Sequence, residues 1–273
     1  MRSKPLLSLR DVHYVYPNGT PAIRGISLDV LPGQRVALLG ENGSGKTTLA
    51  RLMVGLVRPS KGSVRLGDAD YETLTTHDIA REVGIVFQNP DHQIFLERVW
   101  DEVAFGPRNY GLSPAQVEER VGTALHEFDL WEDRDRLPAA LSGGERKSVA
   151  FASSFALRPR VLLLDEPTKG MDYGRKRRLA RMADRLTAEG RTVFFITHDV
   201  DFAYASTERA VVLRRGRVLL EGRTRDVLSR SDLADAGLHE ASAPLLLATM
   251  RERGISPDSA LYREVQRRVE AVS

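Results

Sequence analysis

A chain of 273 residues is long enough for one large domain, or for a domain with a small appendage. With 42% apolar and 28% charged residues it falls among soluble globular chains and outside the disordered class. The 40 Lys+Arg against 37 Asp+Glu leave a formal charge of +3, which says little about partners. The absence of cysteine removes disulfide scaffolds, thiolate zinc sites and cysteine nucleophiles. No apolar run approaches the ~20 residues that span a bilayer, and the first residues lead into a strand pattern, not a signal-peptide core. The expected setting is the cytoplasm, with any membrane work done through a partner.

In chain order, residues 7–16 alternate like a half-buried strand, and Pro17-Asn18-Gly19-Thr20-Pro21 reads as a hairpin turn. A strand over 26–30 and the turn Pro32-Gly33 precede Arg35-Val36-Ala37-Leu38-Leu39-Gly40, an almost fully apolar strand. Residues 47–57 read as a helix, 63–66 and 83–87 as strands, and 113–128 as a helix on the spacing of Val117, Val121, Leu125 and Phe128. A glycine-led helix over 144–157 feeds the continuous apolar run Val161-Leu162-Leu163-Leu164. A helix over 174–189, a strand over 192–196, a short helix near Phe202 and strands around Val211 and Val218 complete the body. Strands alternating with helices predict an α/β fold with a mainly parallel sheet covered on both faces, joined by an antiparallel β subdomain at the start. After Gly222 a small helical extension follows, with helices over 224–230, 244–253 and 258–271. In the last of these Leu261, Val265 and Val269 form a narrow apolar stripe that docks either on its own domain or on another subunit. The dense basic run Arg175-Lys176-Arg177-Arg178 reads as a solvated helix face, with contact to nucleic acid or anionic lipid as the lesser alternative.

Two motifs carry chemistry on their residues alone. Gly40-Glu41-Asn42-Gly43-Ser44-Gly45-Lys46-Thr47 is a complete G-x-x-x-x-G-K-[ST] between an apolar strand and a helix. Its glycines let backbone N–H groups turn inward toward phosphate oxygens, and the helix dipole adds positive potential. Lys46 can reach β- and γ-phosphates, and the Thr47 hydroxyl can meet Mg²⁺. Val161-Leu162-Leu163-Leu164-Asp165-Glu166-Pro167 then places two carboxylates where a buried strand emerges. Asp165 suits a magnesium shell; Glu166, pointing differently, suits the polarisation of an attacking water.

Leu141-Ser142-Gly143-Gly144-Glu145 opens the glycine-led helix, with Ser142 as a candidate N-cap. A phosphate loop, Gln88 after a strand, Leu-Ser-Gly-Gly, Asp-Glu and then Thr197-His198 after a strand, in that order, resemble the nucleotide-binding ATPase of ABC transporters. The resemblance covers about residues 6–222 and implies a P-loop NTPase core over 1–222, with a helical subdomain over about 89–158 and an extension over 223–273. It implies ATP and Mg²⁺ as cofactors. It places Tyr16 on the adenine, with Tyr14 as the nearest competitor, and residues 40–47 with Thr48 around the phosphates. Thr47, Gln88 and Asp165 fall to magnesium; Lys46, Gln88, Glu166 and His198 fall to catalysis, and Asp172 to the D-loop. Ser142, Gly143, Gly144 and Glu145 would act in trans on ATP held by a second ATPase subunit, identical or paralogous. Three departures stand out: Glu145 replaces the more usual Gln, Ser148 stands where many members have Arg, and Met171 and Tyr173 replace Leu and Pro.

Asn89-Pro90-Asp91-His92-Gln93-Ile94-Phe95 and Asp101-Glu102-Val103-Ala104-Phe105-Gly106-Pro107 narrow the resemblance to ATPases of energy-coupling factor importers and the related cobalt and nickel importers. That group implies an integral membrane coupling subunit, a membrane subunit that captures a vitamin or metal ion, and a peripheral position at the cytoplasmic face, with no nucleic acid partner. Residues 93–100 would line the groove for a coupling helix, with Ile94, Phe95, Val99 and Trp100 as apolar contacts and Asp91, Glu97 and Asp101 as charges. Another ABC importer or an exporter remains open as an alternative. A coiled-coil repair ATPase would need a long insertion where Ser142 follows Gln88 by 54 positions, and a translation-type ATPase carries two such cassettes.

Overall fold

Burial along each strand separates two sheets in the computed structural model, which describes residues 4–271. Strands β1 (Leu7–Val15) and β2 (Pro21–Val30) mix buried and exposed positions, as one-faced antiparallel strands do. With β4 (Lys61–Leu66) and β5 (Ala69–Asp70) they form a four-stranded antiparallel sheet in the order β2-β1-β4-β5. The strands β3 (Arg35–Leu39), β6 (Val83–Val86), β7 (Val161–Asp165), β8 (Thr192–Ile196) and β9 (Arg209–Arg214) are buried almost throughout, the mark of a sheet covered on both faces. They run parallel in the order β9-β3-β8-β7-β6, and β10 (Arg217–Arg223) closes the β9 edge as an antiparallel partner. The expected mainly parallel sheet with an antiparallel addition is the architecture observed.

Helices α1 (Lys46–Met53), α2 (Thr76–Glu82), α3 (Val99–Asn109), α4 (Pro114–Glu127), α5 (Gly143–Ala156), α6 (Tyr173–Ala188), α7 (Val200–Ser206), α8 (Thr224–Leu228), α9 (Ser242–Glu252) and α10 (Ala260–Ala271) surround these sheets. One core lies between the antiparallel sheet, α1 and one face of the parallel sheet, centred on Leu7, Leu38, Leu49, Leu163 and Phe194. On the opposite face Leu164, Phe195, Leu179 and Met182 pack with α5 and α6. Helices α3, α4 and α5 share a separate cluster around Val99, Val103, Val121 and Val149, which makes the helical subdomain a bundle with its own core.

Helix α1 stops at Met53, short of the expected 57, because Gly55 enters the left-handed region at φ 71°. The Leu56 amide then donates to the Arg51 carbonyl and the Gly55 amide to Leu52, a Schellman closure that satisfies the last carbonyls. Beyond α8, Leu233, Ala236, Leu238 and Ala241 are buried with Ala37 and Leu39 of β3, so the chain after residue 222 continues the core up to about 241. In α10 the stripe does not dock fully on its own domain: Leu261 is 59% exposed and Val265 half-buried, while Tyr262 is buried under the Arg251 guanidinium of α9. The side chain of Val269 lies outside the described residues.

Strand β1 bulges at Asp11, whose φ is 45°, where its register against β2 and β4 shifts. Gly62 of β4 faces that bulge at φ 85°, and a Cβ there would overlap the carbonyl oxygens of Arg10 and Asp11. Gly67, at φ 57°, has open space around it. Gly62→Ala should therefore cost about 3 kcal/mol or more in urea unfolding, against about 1 kcal/mol for Gly67→Ala, which carries the backbone strain alone. Equal losses would mean that the bulge yields freely.

Candidate functional site

Parallel strands end on one edge of a sheet, and here that edge collects the loops that carry the motifs. The phosphate loop follows β3, Gln88 follows β6, Asp165 and Glu166 end β7, and Thr197-His198 follows β8. Strand order alone thus brings four of the expected elements side by side.

In the phosphate loop Gly40 has φ 147° and a Cβ there would lie 2.6 Å from Ser44 Oγ; Gly45 has φ 109° and would meet the Ala22 carbonyl at 2.9 Å. Both positions exclude a side chain. Ser44 is buried, and its Oγ has no hydrogen-bond partner. Gly45 caps α1 without a side-chain acceptor, so no cap occupies the first amides of that helix. Lys46 Nζ donates to the carbonyls of Gly40 at 2.7 Å and Glu41 at 3.0 Å, folded back over the loop. Burial lowers its pKa, against the opposing pull of Glu166, Asp165 and Glu41. Asn42 and Gly43 are exposed on the loop's crest. Tyr16 is half-buried, with its hydroxyl 2.8 Å from Thr48 Oγ1 at the start of α1, whereas Tyr14 packs on the core and meets Tyr16 edge-on.

At the end of β7, Glu166 is held in the left-handed region at φ 47°, its amide donating to Ile196 of β8 at 2.7 Å. Its Oε1 lies 2.8 Å from His198 Nδ1, and its Oε2 accepts from the Thr197 hydroxyl at 3.3 Å. Burial, and the Glu166 charge beside it, push the Asp165 carboxyl up to about 6; Lys46 and a hydrogen bond from Thr47 act in the other direction. Gln88 is exposed on its loop, which Gln93 pins down by bonding Phe87, Ile85 and Ser154 at 3.3–3.4 Å. Gln93, read from sequence as part of a partner groove, is therefore a brace inside the chain.

The signature residues sit elsewhere. Ser142 caps α5 in a reciprocal box: its hydroxyl accepts from the Glu145 amide at 3.3 Å, and Glu145 Oε2 accepts from the Ser142 amide at 2.7 Å. A glutamate fills this third position as well as a glutamine does, which accounts for the Glu145 departure, and the bond from the Ser142 amide lowers the Glu145 pKa. Among the described residues no hydrogen bond joins residues 142–144 to the phosphate loop. Ser148 lines a cavity of about 450 Å³ between α5 and α6, beside Gly144, Phe151, Met171 and Arg175. Asp172 caps α6, accepting from the Arg175 amide at 2.9 Å. The basic run that follows is engaged within the chain: Arg175 with Asp172, Lys176 with Asp199, Arg178 with Asp129, and Arg177 over the Tyr173 ring.

Sequence reasoning missed Lys147. It lies on the signature helix but is buried, and donates to the carbonyls of Glu166 at 3.1 Å and Lys169 at 3.2 Å. Burial lowers its pKa to about 8. The available signal was a lysine on a helix face otherwise set against the core.

The description of the ABC transporter family matches residues 23–169. The chain is 42% identical over 267 residues to the cobalt import ATP-binding protein CbiO of Rhodobacter capsulatus, covering 95% of this chain and 94% of that one. The chain belongs to the ABC transporter family. It is 38% identical over 267 residues to the energy-coupling factor transporter ATP-binding protein EcfA2 of Methanospirillum hungatei, covering 96% of this chain and 67% of that one. It spans 40% of the length of an ABC transporter ATP-binding protein of Caldanaerobacter subterraneus, at 43% identity over 83% of this chain. Among solved structures, cbiO1 of Clostridium perfringens, part of the ABC transporter complex cbiONQ, superposes with a TM-score of 0.75 at 31% identity, covering 85% of this chain and 94% of that one.

The residues of this ABC ATPase fit its expected ligands. The unpartnered Ser44 hydroxyl, the uncapped α1 and the Lys46 ammonium suit phosphate oxygens. A single carboxylate, Asp165, beside a hydroxyl, Thr47, suits Mg²⁺, which takes few protein ligands when phosphates supply the rest.

Because Asp165 has a raised pKa, its ionised form is disfavoured in the folded chain. That penalty is complete above pH 6 and disappears as pH falls toward the ordinary 3.8. Asp165→Asn should raise the thermal midpoint of the protein without nucleotide at pH 7, have little effect near pH 4, and abolish the additional stabilisation that Mg²⁺ gives with ATP. A lower midpoint at pH 7 would contradict this account.

Proposed function

We propose that this chain is the ATP-hydrolysing subunit of a membrane importer of the energy-coupling factor or cobalt type, working as a pair of ATPases that closes on ATP. The observation that carries the reading is the division of the site: phosphate loop, Glu166 and His198 share one sheet edge, while Ser142–Gly144 open a helix with no bond to that loop. A second ATPase subunit, identical or paralogous, completes each site by presenting its own signature. The similarity to cobalt import and energy-coupling factor ATP-binding proteins supports the importer class, and the cargo in this reading is a vitamin or transition-metal ion. No helix among the described residues is long and apolar enough to cross a membrane. In the importer proposed here an integral coupling subunit and a substrate-capture subunit cross the bilayer, and this chain sits peripherally at its cytoplasmic face.

Thr47, Asp165 and Gln88 would hold Mg²⁺, which would neutralise charge on the phosphates. Lys46 and the loop amides orient the triphosphate, Tyr16 takes the adenine, and Glu166 accepts the proton of the attacking water while His198 contacts the γ-phosphate side. Asp172, as the D-loop residue, faces the partner.

For the coupling subunit, the surface differs from the sequence expectation. Val99 is fully buried in the helical bundle and Trp100 packs against Trp131. Phe95 and Phe105, 63% and 42% exposed, meet edge-on at 4.9 Å and form the apolar contact. Asp91 and Asp101 already pair with Arg146 and Arg108, leaving Glu97 for a basic partner residue. On the extension, Leu245, Leu246 and Leu261 are exposed and form the contact that holds the two ATPases together without nucleotide.

Replacing Glu166 by Gln keeps shape and removes the base. The variant should bind ATP normally and hydrolyse it at least ~100-fold more slowly, as measured by phosphate release. Turnover at the wild-type rate would place the base elsewhere.

A further inference from the structure

The segment between β10 and α9 is fastened to both ends of the candidate ATP site. Thr224 is buried and bonds Thr207 at 2.9 Å, and Leu233, Ala236, Leu238 and Ala241 pack against β3, β9 and α7. At one end the Glu41 amide, inside the phosphate loop, donates to the Ala236 carbonyl at 3.2 Å. Gly237 follows at φ 66°, so close that a Cβ would lie 3.0 Å from Glu41 Cβ. At the other end the Asp201 carboxylate accepts from both the amide and the hydroxyl of Ser242, at 2.6 and 2.7 Å. Asp201 lies in the first turn of α7, three residues after His198. The opposite side of that turn is held by Asp199, which caps α7 and pairs with Lys176 of α6. His239, between the two fastenings, lines a cavity of about 430 Å³ with Glu166 and His198.

We propose that residues 236–242 form a clamp that fixes the His198 turn relative to the phosphate loop, making Asp201 and Ser242 positioning residues for ATP hydrolysis. The inference rests on His198 facing the γ-phosphate side, and assigns the extension a task within its own subunit. Its two attachments act on different things. Glu41 belongs to the loop that binds phosphate, whereas Asp201 steadies the helix turn that presents His198. Releasing the Asp201 end should loosen the histidine without disturbing the loop, so the loss should fall on turnover and leave nucleotide affinity unchanged.

Ser242 is the first residue of α9, and Ala241 before it has φ −61° and ψ 137°. Proline is compatible with that first helical position, and the preceding backbone already has the extended geometry that proline requires. Ser242→Pro therefore removes both donors to Asp201 while preserving the helix. Asp201→Asn, at an exposed site, tests the same contact from the other side. In the full chain, assayed in the same assembly as wild type, each variant should lower kcat about tenfold with KM for ATP unchanged, the size expected for losing hydrogen bonds to a charged group. Combined with His198→Ala, Ser242→Pro should produce no further loss, because it acts through the histidine. Unchanged kcat, or a loss that adds in full to that of His198→Ala, would overturn the clamp. Glu166→Gln measured alongside separates the two ideas: if it abolishes hydrolysis while Ser242→Pro is silent, the clamp fails and the ATPase site stands.

Discussion

Two neighbouring carboxylates at the end of a fully buried strand govern this molecule. Asp165 and Glu166 repel each other in surroundings with little water, and burying charge without compensation is costly. The adjoining groups can be read as responses. Lys46 and Thr47 reach from α1 toward Asp165, His198 and Thr197 engage the Glu166 carboxylate from β8, and Lys147 bonds the Glu166 backbone from the signature helix. These groups relieve the pair only in part, since the Asp165 carboxyl still titrates near 6. A divalent cation with its phosphates would supply what is missing, so the site is electrostatically suited to the complex it is proposed to bind.

The same arrangement relates chemistry to assembly. Lys147 joins the helix that carries the signature to the backbone of Glu166 and to the turn after it. In the proposed pair of ATPases the signature would serve one nucleotide and Glu166 of the same chain the other. In such a pair the buried Lys147 would lie between two composite sites, joining the helical bundle to the strand end that carries Glu166. The aromatic pair Phe95–Phe105 sits on that same bundle, at the start of the path by which a membrane subunit would act on it.

Most of the fold was legible because a doubly covered parallel sheet writes its strands as uninterrupted apolar runs; 192–196 matches β8 residue for residue. The phosphate loop was legible because backbone curvature demands glycine, and glycine spacing is visible in one dimension. Other features depend on tertiary partners. The α10 pattern gave a stripe through Leu261, but packing against α9 selected Tyr262, about a third of a turn away. Helix α2 buries only Ile79 and left no periodicity to detect. Gln93 and Asp91 looked like partner contacts because polar loop residues usually are, yet both are used inside the chain. The role of Asp201 depends on a residue 41 positions away and has no local signature.

The most direct test of this account is a structure of the full chain with Mg²⁺ and a non-hydrolysable ATP analogue. The account predicts two chains enclosing two nucleotides, with Lys46 and Ser44 of one chain and Ser142 of the other on the same γ-phosphate, and with the metal on Thr47 and Asp165. A nucleotide held by one chain alone, with Ser142 facing solvent and Asp165 away from the metal, would contradict it.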